Sequence, residues 1–145
     1  MSDSVDLTRF TKAHKRSYKN AFEEIKNGKK ETHWMWYIFP QIHGLGHSET
    51  AIYYSIQSLG EAEAFLKDPY LGKNLIEISK ALLTLKTDNP LTVFGGIDAK
   101  KLMSSMTLFA YISKSDSVFQ RVLDKYYEGK QDTRTLTILQ DEQIG

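Results

Sequence analysis

The chain has 145 residues, of which 41% are hydrophobic and 26% are charged, a composition typical of globular rather than disordered proteins. Its 19 basic residues balance 18 acidic ones, so the overall charge gives no general attraction to nucleic acid or to an anionic membrane. The absence of cysteine excludes disulfides, thiolate metal sites and thiol nucleophiles. The sequence shows neither a long apolar run nor a signal-peptide core, so we expect a cytoplasmic protein without a membrane partner.

The first predicted helix begins after Asp6 and ends at Gly28. Apolar residues recur in it at three- and four-residue spacing, which is the pattern of an amphipathic helix. Basic side chains outnumber acidic ones in residues 1–30, which is typical of a solvated helix face. Because the whole chain is nearly neutral, nucleic acid is a disfavoured partner.

Two further helices are predicted in the middle of the chain. Ser58 and Glu61 have the spacing of a capping box at the start of the first. Asp68-Pro69 has the form of an N-cap followed by proline at the first helical position of the second. Asp88-Asn89-Pro90 is expected to end that helix, because proline disfavours helical geometry in the preceding residue.

Three more helices are predicted towards the C-terminus. Each is expected to begin at an aspartate: Asp98, Asp116 and Asp132. Strand-like composition is confined to residues 34–39 and 91–94. The sequence therefore predicts an all-α fold, a compact bundle of short helices that forms a single domain over residues 1–145.

The segment from His33 to Gln41 reads HWMWYIFPQ and contains both tryptophans of the chain. One interpretation is that its rings build the core, since each buries a large area. The other is that Trp34 or Trp36 walls a pocket with His33 and Gln41, where a ring stacks on a base or sugar. Six adjacent bulky side chains cannot all point inward from one helix or strand, so some must face another surface or a ligand.

Gly44, Gly46 and Ser48 form a turn ahead of a predicted helix. Free backbone N–H groups in this turn could bind a phosphate or a carboxylate, whereas a plain turn and helix cap account for the same residues equally well. The third glycine of a dinucleotide fingerprint is absent, so no cofactor is predicted. Three histidines lie nearby in sequence: His33, His43 and His47. They lack the spacing of metal ligands, and no metal site is predicted.

Three hydroxyl residues, Ser104, Ser105 and Thr107, interrupt an otherwise apolar predicted helix. They can donate to carbonyls one turn earlier, or they can line a polar pocket in which Lys101 binds an anion. No SxxK pattern supports a Ser–Lys nucleophilic pair. The sequence is therefore compatible both with an enzyme and with a binding module.

Three segments together resemble the domain-of-unknown-function 1810 family: His33–Gln41, Gly44–Gly46 and Ser104–Phe109. The resemblance runs from about Leu7 to Leu139, and members of the family are sometimes labelled calpastatin-like. It implies a compact, mostly helical domain and no particular reaction. The family often has glutamine at the position of His14.

Two functions follow as hypotheses. The first is binding of a small phosphate-bearing ligand, such as a nucleotide or an ADP-ribose-like compound. Its pocket would be formed by the aromatic segment, the Gly44–Ser48 turn and the Ser104–Thr107 cluster. The alternative is a protein–protein interaction module without catalytic activity, which predicts an exposed apolar patch.

Overall fold

The computed structural model describes residues 5–144, with side chains up to residue 142. Within these residues the chain forms eight α-helices and no β-strand, which confirms the all-α prediction. The helices are α1 Thr8–Lys26, α2 Met35–Ile38, α3 Glu49–Tyr54, α4 Leu59–Lys67, α5 Leu71–Leu83, α6 Pro90–Tyr111, α7 Val118–Tyr127 and α8 Thr133–Ile144.

Helices α5 and α6 organise the packing. Helix α5 contacts α1, α4 and α7, whereas α6 contacts α4, α7 and α8, and α2 lies between α1 and α3. Fully buried side chains such as Phe10, Leu75 and Phe109 fill the space between them. Burial of each such side chain stabilises the fold by roughly 1.5–3 kcal/mol. No helix in the described part of the chain has both the length and the apolar character needed to cross a bilayer.

Helix α6 begins earlier than predicted. The Asn89 side chain accepts a backbone N–H two residues later at 2.9 Å, and Pro90 occupies the first turn, so this dipeptide starts α6. The predicted end of α5 at Asp88-Asn89-Pro90 is wrong, because α5 already ends at Leu83. Gly95 interrupts the helix with a φ of 76°, a conformation that glycine adopts without steric cost. Asp98 consequently lies within α6 and does not cap it.

Two other predicted helix boundaries are corrected, and the segments of strand-like composition prove to be helical. Residues 35–38 and 91–94, which have strand-like composition, are helical. Strand propensity reflects the fit to a pleated surface, and no partner strand lies among the described residues. Ser117 rather than Asp116 caps α7, and α5 begins at Leu71 instead of at Pro69.

His14 links three helices through its buried imidazole ring. Its Nδ1 accepts a hydrogen bond from Asn74 Nδ2 at 3.0 Å, so Nε2–H is the donor to the Tyr37 carbonyl at 2.8 Å. The side chain is only 1% exposed. Burial, opposed in part by the bond to Tyr37, lowers the pKa of His14 to about 4. The folded protein therefore keeps this histidine neutral.

We expect the stability of the protein to fall in mild acid because of His14. The unfolded chain takes up a proton below its ordinary pKa of 6.5, whereas the folded chain resists protonation down to about 4. This contribution is fully present above pH 6.5 and is lost as the pH falls towards 4. The free energy of unfolding should drop by about 2 kcal/mol between pH 7.5 and pH 5.

Urea unfolding of the wild type and of His14→Gln at both pH values measures this effect. Glutamine can accept from Asn74 and donate to Tyr37 without titrating. The variant should therefore lose most of the pH dependence, and an equal dependence in both proteins would contradict the assignment to His14.

Candidate ligand-binding cavity

Trp34 is a core residue that anchors the segment between α1 and α2. Its indole is 1% exposed, and Nε1–H donates to Glu24 Oε1 at 2.9 Å. The same carboxylate accepts the backbone N–H groups of Glu31 and Thr32 at 2.7 and 3.0 Å. The first tryptophan therefore fixes the approach of the chain to α2 and does not face open space.

A chain of alternating charges connects this anchor to α6. Lys30 Nζ lies 4.9 Å from the ring centre of Trp34 and 2.9 Å from Asp98 Oδ2. The other oxygen, Asp98 Oδ1, lies 3.9 Å from Lys101 Nζ, which in turn lies 5.3 Å from the ring centre of Trp36. The Lys30 side chain is only 6% exposed, so its ion pair with Asp98 is well shielded from water. Asp98 and Trp36 thus hold Lys101 in place from two sides.

Lys101 lies on the wall of an open cavity of about 800 Å³. The cavity is lined by the 41–46 loop, both parts of α6, the end of α7 and the start of α8. The lining residues are Gln41, Leu45, Gly46, Pro90, Leu91, Gly96, Ile97, Ala99, Lys100, Lys101, Met103, Ser104, Tyr127, Asp132 and Arg134. A volume of this size lies in the ordinary range of small-molecule sites.

The cavity brings together four of the candidate residues named from the sequence: Gln41, Gly46, Lys101 and Ser104. Backbone hydrogen bonds to both sides of Ile56 hold the loop that carries Gln41. Gly46 packs so tightly on α3 that an added Cβ would lie 2.6 Å from the Ala51 Cβ. Segments far apart in sequence therefore meet at one cavity.

The other candidates lie outside the cavity lining. Trp34 is buried, His33 is exposed, and Trp36 lies behind Lys101. Gly44 has a φ of 93° and contacts α8, so its role is that of a turn residue. The Ser48 hydroxyl accepts the Ala51 N–H at 3.1 Å and caps α3.

The hydroxyl cluster of α6 is divided between the cavity and the core. Ser104 donates to the Lys100 carbonyl at 3.2 Å, and Thr107 donates to the Met103 carbonyl at 2.8 Å, as residues inside helices commonly do. Thr107 Oγ1 also accepts the Asp132 N–H at 2.9 Å and so ties the start of α8 to α6. Ser105 is fully buried, and its Oγ has no hydrogen-bond partner among the described residues.

Sequence reasoning missed several residues of the cavity wall. Lys100, Tyr127 and Arg134 received no site role, although Tyr127 donates to the Ala99 carbonyl at 2.5 Å and so closes one side of the cavity. Asp132 caps α8 by accepting the Thr135 N–H at 3.0 Å. The predicted helix start at Asp132 was a signal for this corner, because it places a cap and the cation of Arg134 shortly after α7.

The electrostatic character of the cavity wall is cationic. Lys100 and Arg134 form no ion pair or side-chain hydrogen bond within the described part of the chain. Lys101 shares Asp98 with Lys30, which lies closer to that carboxylate. The one carboxylate of the wall, Asp132, is already bonded to Thr135. Positive groups from α6 and α8 are therefore available to an anion beside apolar surface.

His43 pairs with a single carboxylate, that of Glu142. His43 Nε2 lies 2.8 Å from Glu142 Oε2, and the other oxygen of Glu142 accepts the Leu59 N–H, so this pair ties α8 to the start of α4. Within residues 5–142, no group of three or more histidine, aspartate or glutamate side chains has an arrangement that could hold a metal ion.

The fold and the cavity define an all-α protein with a cation-lined pocket, and comparison with known proteins gives its family. The model of the family described as "Protein of unknown function (DUF1810)" matches residues 4–139, and the chain belongs to this family. The chain is also similar to the conserved hypothetical protein Rv1873 from Mycobacterium tuberculosis, known from a crystal structure at 1.38 Å, with 41% identity. The match covers 95% of this chain and 99% of that chain, with a TM-score of 0.92. No protein with a curated description matches.

Proposed function

We propose that the cavity binds a small phosphate-bearing ligand, such as a nucleotide or an ADP-ribose-like compound. The observation that carries this proposal is the presence of Lys100, Lys101 and Arg134 on the wall of one cavity. These cations come from two helices, and only one carboxylate shares the wall with them. Lysine and arginine are the side chains that proteins use to bind phosphate.

The rest of the wall suits the organic part of such a ligand. Leu45, Leu91, Ile97 and Met103 offer apolar surface, and the Gln41 side-chain amide, which has no partner within the described residues, can donate and accept. Ligand sites typically combine such apolar walls with a few polar groups that fix the orientation of the ligand.

Isothermal titration calorimetry with AMP and ADP-ribose tests the proposal. We expect at least one of them to bind the wild type, and Lys101→Ala to weaken that binding about tenfold, because a partly shielded charged contact is lost. Lys80→Ala is the matched control: it removes an exposed lysine of α5, which does not line the cavity.

Two results would contradict the proposal. One is the lack of any heat of binding at millimolar ligand with the folded wild type. The other is equal affinity in Lys101→Ala and Lys80→Ala, which would place the ligand elsewhere. Circular dichroism of both variants establishes that they are folded.

A second candidate function is a protein–protein interaction at the exposed residues beside the same cavity. Leu91 and Ile97 are 58% and 76% exposed on either side of the Gly95 break, and exposed apolar side chains of this size are typical of contact surfaces. Ile97→Ser should then abolish binding of the partner protein.

A further inference from the structure

We infer that the ligand carries a single dianionic phosphate monoester on an apolar body. This inference rests on the proposed function and narrows it. The cavity wall contains three cationic side chains and one carboxylate, which gives the lining a net charge of +2. A phosphate monoester has a charge of about −1.5 to −2 at pH 7.

The carboxylates around the cavity do not cancel this charge. Asp98 lies 2.9 Å from Lys30, whose buried cation compensates it, and Lys101 is farther away at 3.9 Å. Asp132 accepts two hydrogen bonds from Thr135 and is held as the cap of α8. An incoming anion therefore meets the side-chain donors of α6 and α8 without having to displace a carboxylate.

The remaining surface of the cavity favours one phosphoryl group rather than several. Leu45, Pro90, Leu91, Ile97 and Met103 carry no charge, and they line the same cavity as the cations. A second phosphate on this surface would lose its hydration without a partner, which is costly. A flat ring or an alkyl group would instead bury apolar area there.

The inference also predicts how affinity depends on pH. The second ionisation of a phosphate monoester occurs at about pH 6, whereas a sulfate monoester keeps a single negative charge throughout. The charged and titratable groups around the cavity are Lys30, His43, His47, Asp98, Lys100, Lys101, Tyr127, Asp132 and Arg134. They act equally on both ligands, so the difference between the two ligands isolates the ionisation of the phosphate.

The experiment compares 2-naphthyl phosphate with 2-naphthyl sulfate by calorimetry at pH 5 and pH 7.5. At pH 7.5 we expect the phosphate to bind about fivefold more tightly, since one more unit charge faces partly exposed cations. At pH 5 the two should bind equally. Inorganic phosphate should bind at least tenfold more weakly than 2-naphthyl phosphate, because it lacks the apolar body.

Two variants test whether the preference for phosphate over sulfate arises in the cavity. Lys100→Ala removes a cation that forms no ion pair in the described structure, and it should abolish the difference between phosphate and sulfate without unfolding the protein. Lys80→Ala should keep the difference in affinity between phosphate and sulfate. Equal affinity for 2-naphthyl phosphate and 2-naphthyl sulfate at pH 7.5 would overturn the preference for a dianion. Equal affinity for inorganic phosphate and 2-naphthyl phosphate would overturn the requirement for an apolar body. In both cases AMP or ADP-ribose binding through Lys101 would still stand, whereas no binding of any of these compounds would remove the proposed function itself.

Discussion

Replacement of Glu24 by alanine is expected to lower the free energy of unfolding by about 4 kcal/mol, because it leaves several buried donors without an acceptor. The Glu24 carboxylate accepts hydrogen bonds from the Trp34 indole, from two backbone N–H groups and from the Thr32 hydroxyl and the Asn20 amide. Thermal and urea unfolding of the purified variant measure the loss.

Glu24→Gln is the matched control, since it keeps one carbonyl acceptor in the same volume. We expect it to lose about half as much stability as Glu24→Ala. A loss below about 1 kcal/mol in the alanine variant would contradict the anchoring role, because each unsatisfied buried donor alone costs about that much.

The ionisation of Glu24 also makes the stability of the protein depend on pH in strong acid. Burial raises the pKa of the carboxyl, but the hydrogen bonds from Thr32, Glu31 and Trp34 outweigh burial and bring the pKa to about 2. Its contribution to stability is therefore present above pH 4.5 and is lost as the pH falls towards 2. Most of this range lies below the one in which His14 acts, so the effects of the two residues on stability can be separated by pH.

Replacement of Gly72 by alanine is expected to destabilise the protein by about 3 kcal/mol. An added Cβ at this position would lie 2.0 Å from the Leu66 carbonyl oxygen and 2.8 Å from its carbon. These are backbone atoms of α4, so a side chain cannot rotate away to relieve the clash, and α4 and α5 must separate. Differential scanning calorimetry should show a clearly lower melting temperature.

Gly60→Ala provides the comparison within α4. Its Cβ would meet only the Ser58 hydroxyl at 3.7 Å, and alanine favours a helix more than glycine does. This variant should be as stable as the wild type or up to about 1 kcal/mol more stable. If Gly72→Ala matched Gly60→Ala, the close approach of the two helices would be wrong.

The cavity depends on Glu24 and Trp34, although neither residue lines it. Glu24 and Trp34 hold the segment that carries Lys30, and Lys30 compensates the charge of Asp98 next to Lys101. Loss of the anchor should therefore weaken ligand binding as well as stability. Lys101 itself is expected to affect binding more than folding, because its ion pair with Asp98 is long and partly exposed.

The sequence by itself determined the fold class and most helices. The three- and four-residue spacing in α1 and the Ser58 cap of α4 are local signals, and the structure confirms both. Local signals failed at the boundary between α5 and α6, because α5 ends at Leu83 and not at Asn89-Pro90. Asn89-Pro90 both follows α5 and starts α6, and only the Gly95 break allows the two parts of α6 to diverge.

The aromatic segment shows what tertiary structure had to decide. Residue types alone could not assign Trp34 to the core and place Trp36 behind Lys101, because that division depends on the carboxylate that α1 presents to the first ring. The cavity likewise depends on tertiary contacts. Gln41, Lys101 and Arg134 lie far apart in sequence, and a hydrogen bond between Thr107 and the start of α8 holds together the helices that carry Lys101 and Arg134. Periodicity and capping are local properties, whereas a shared cavity wall exists only once α6, α7 and α8 have packed.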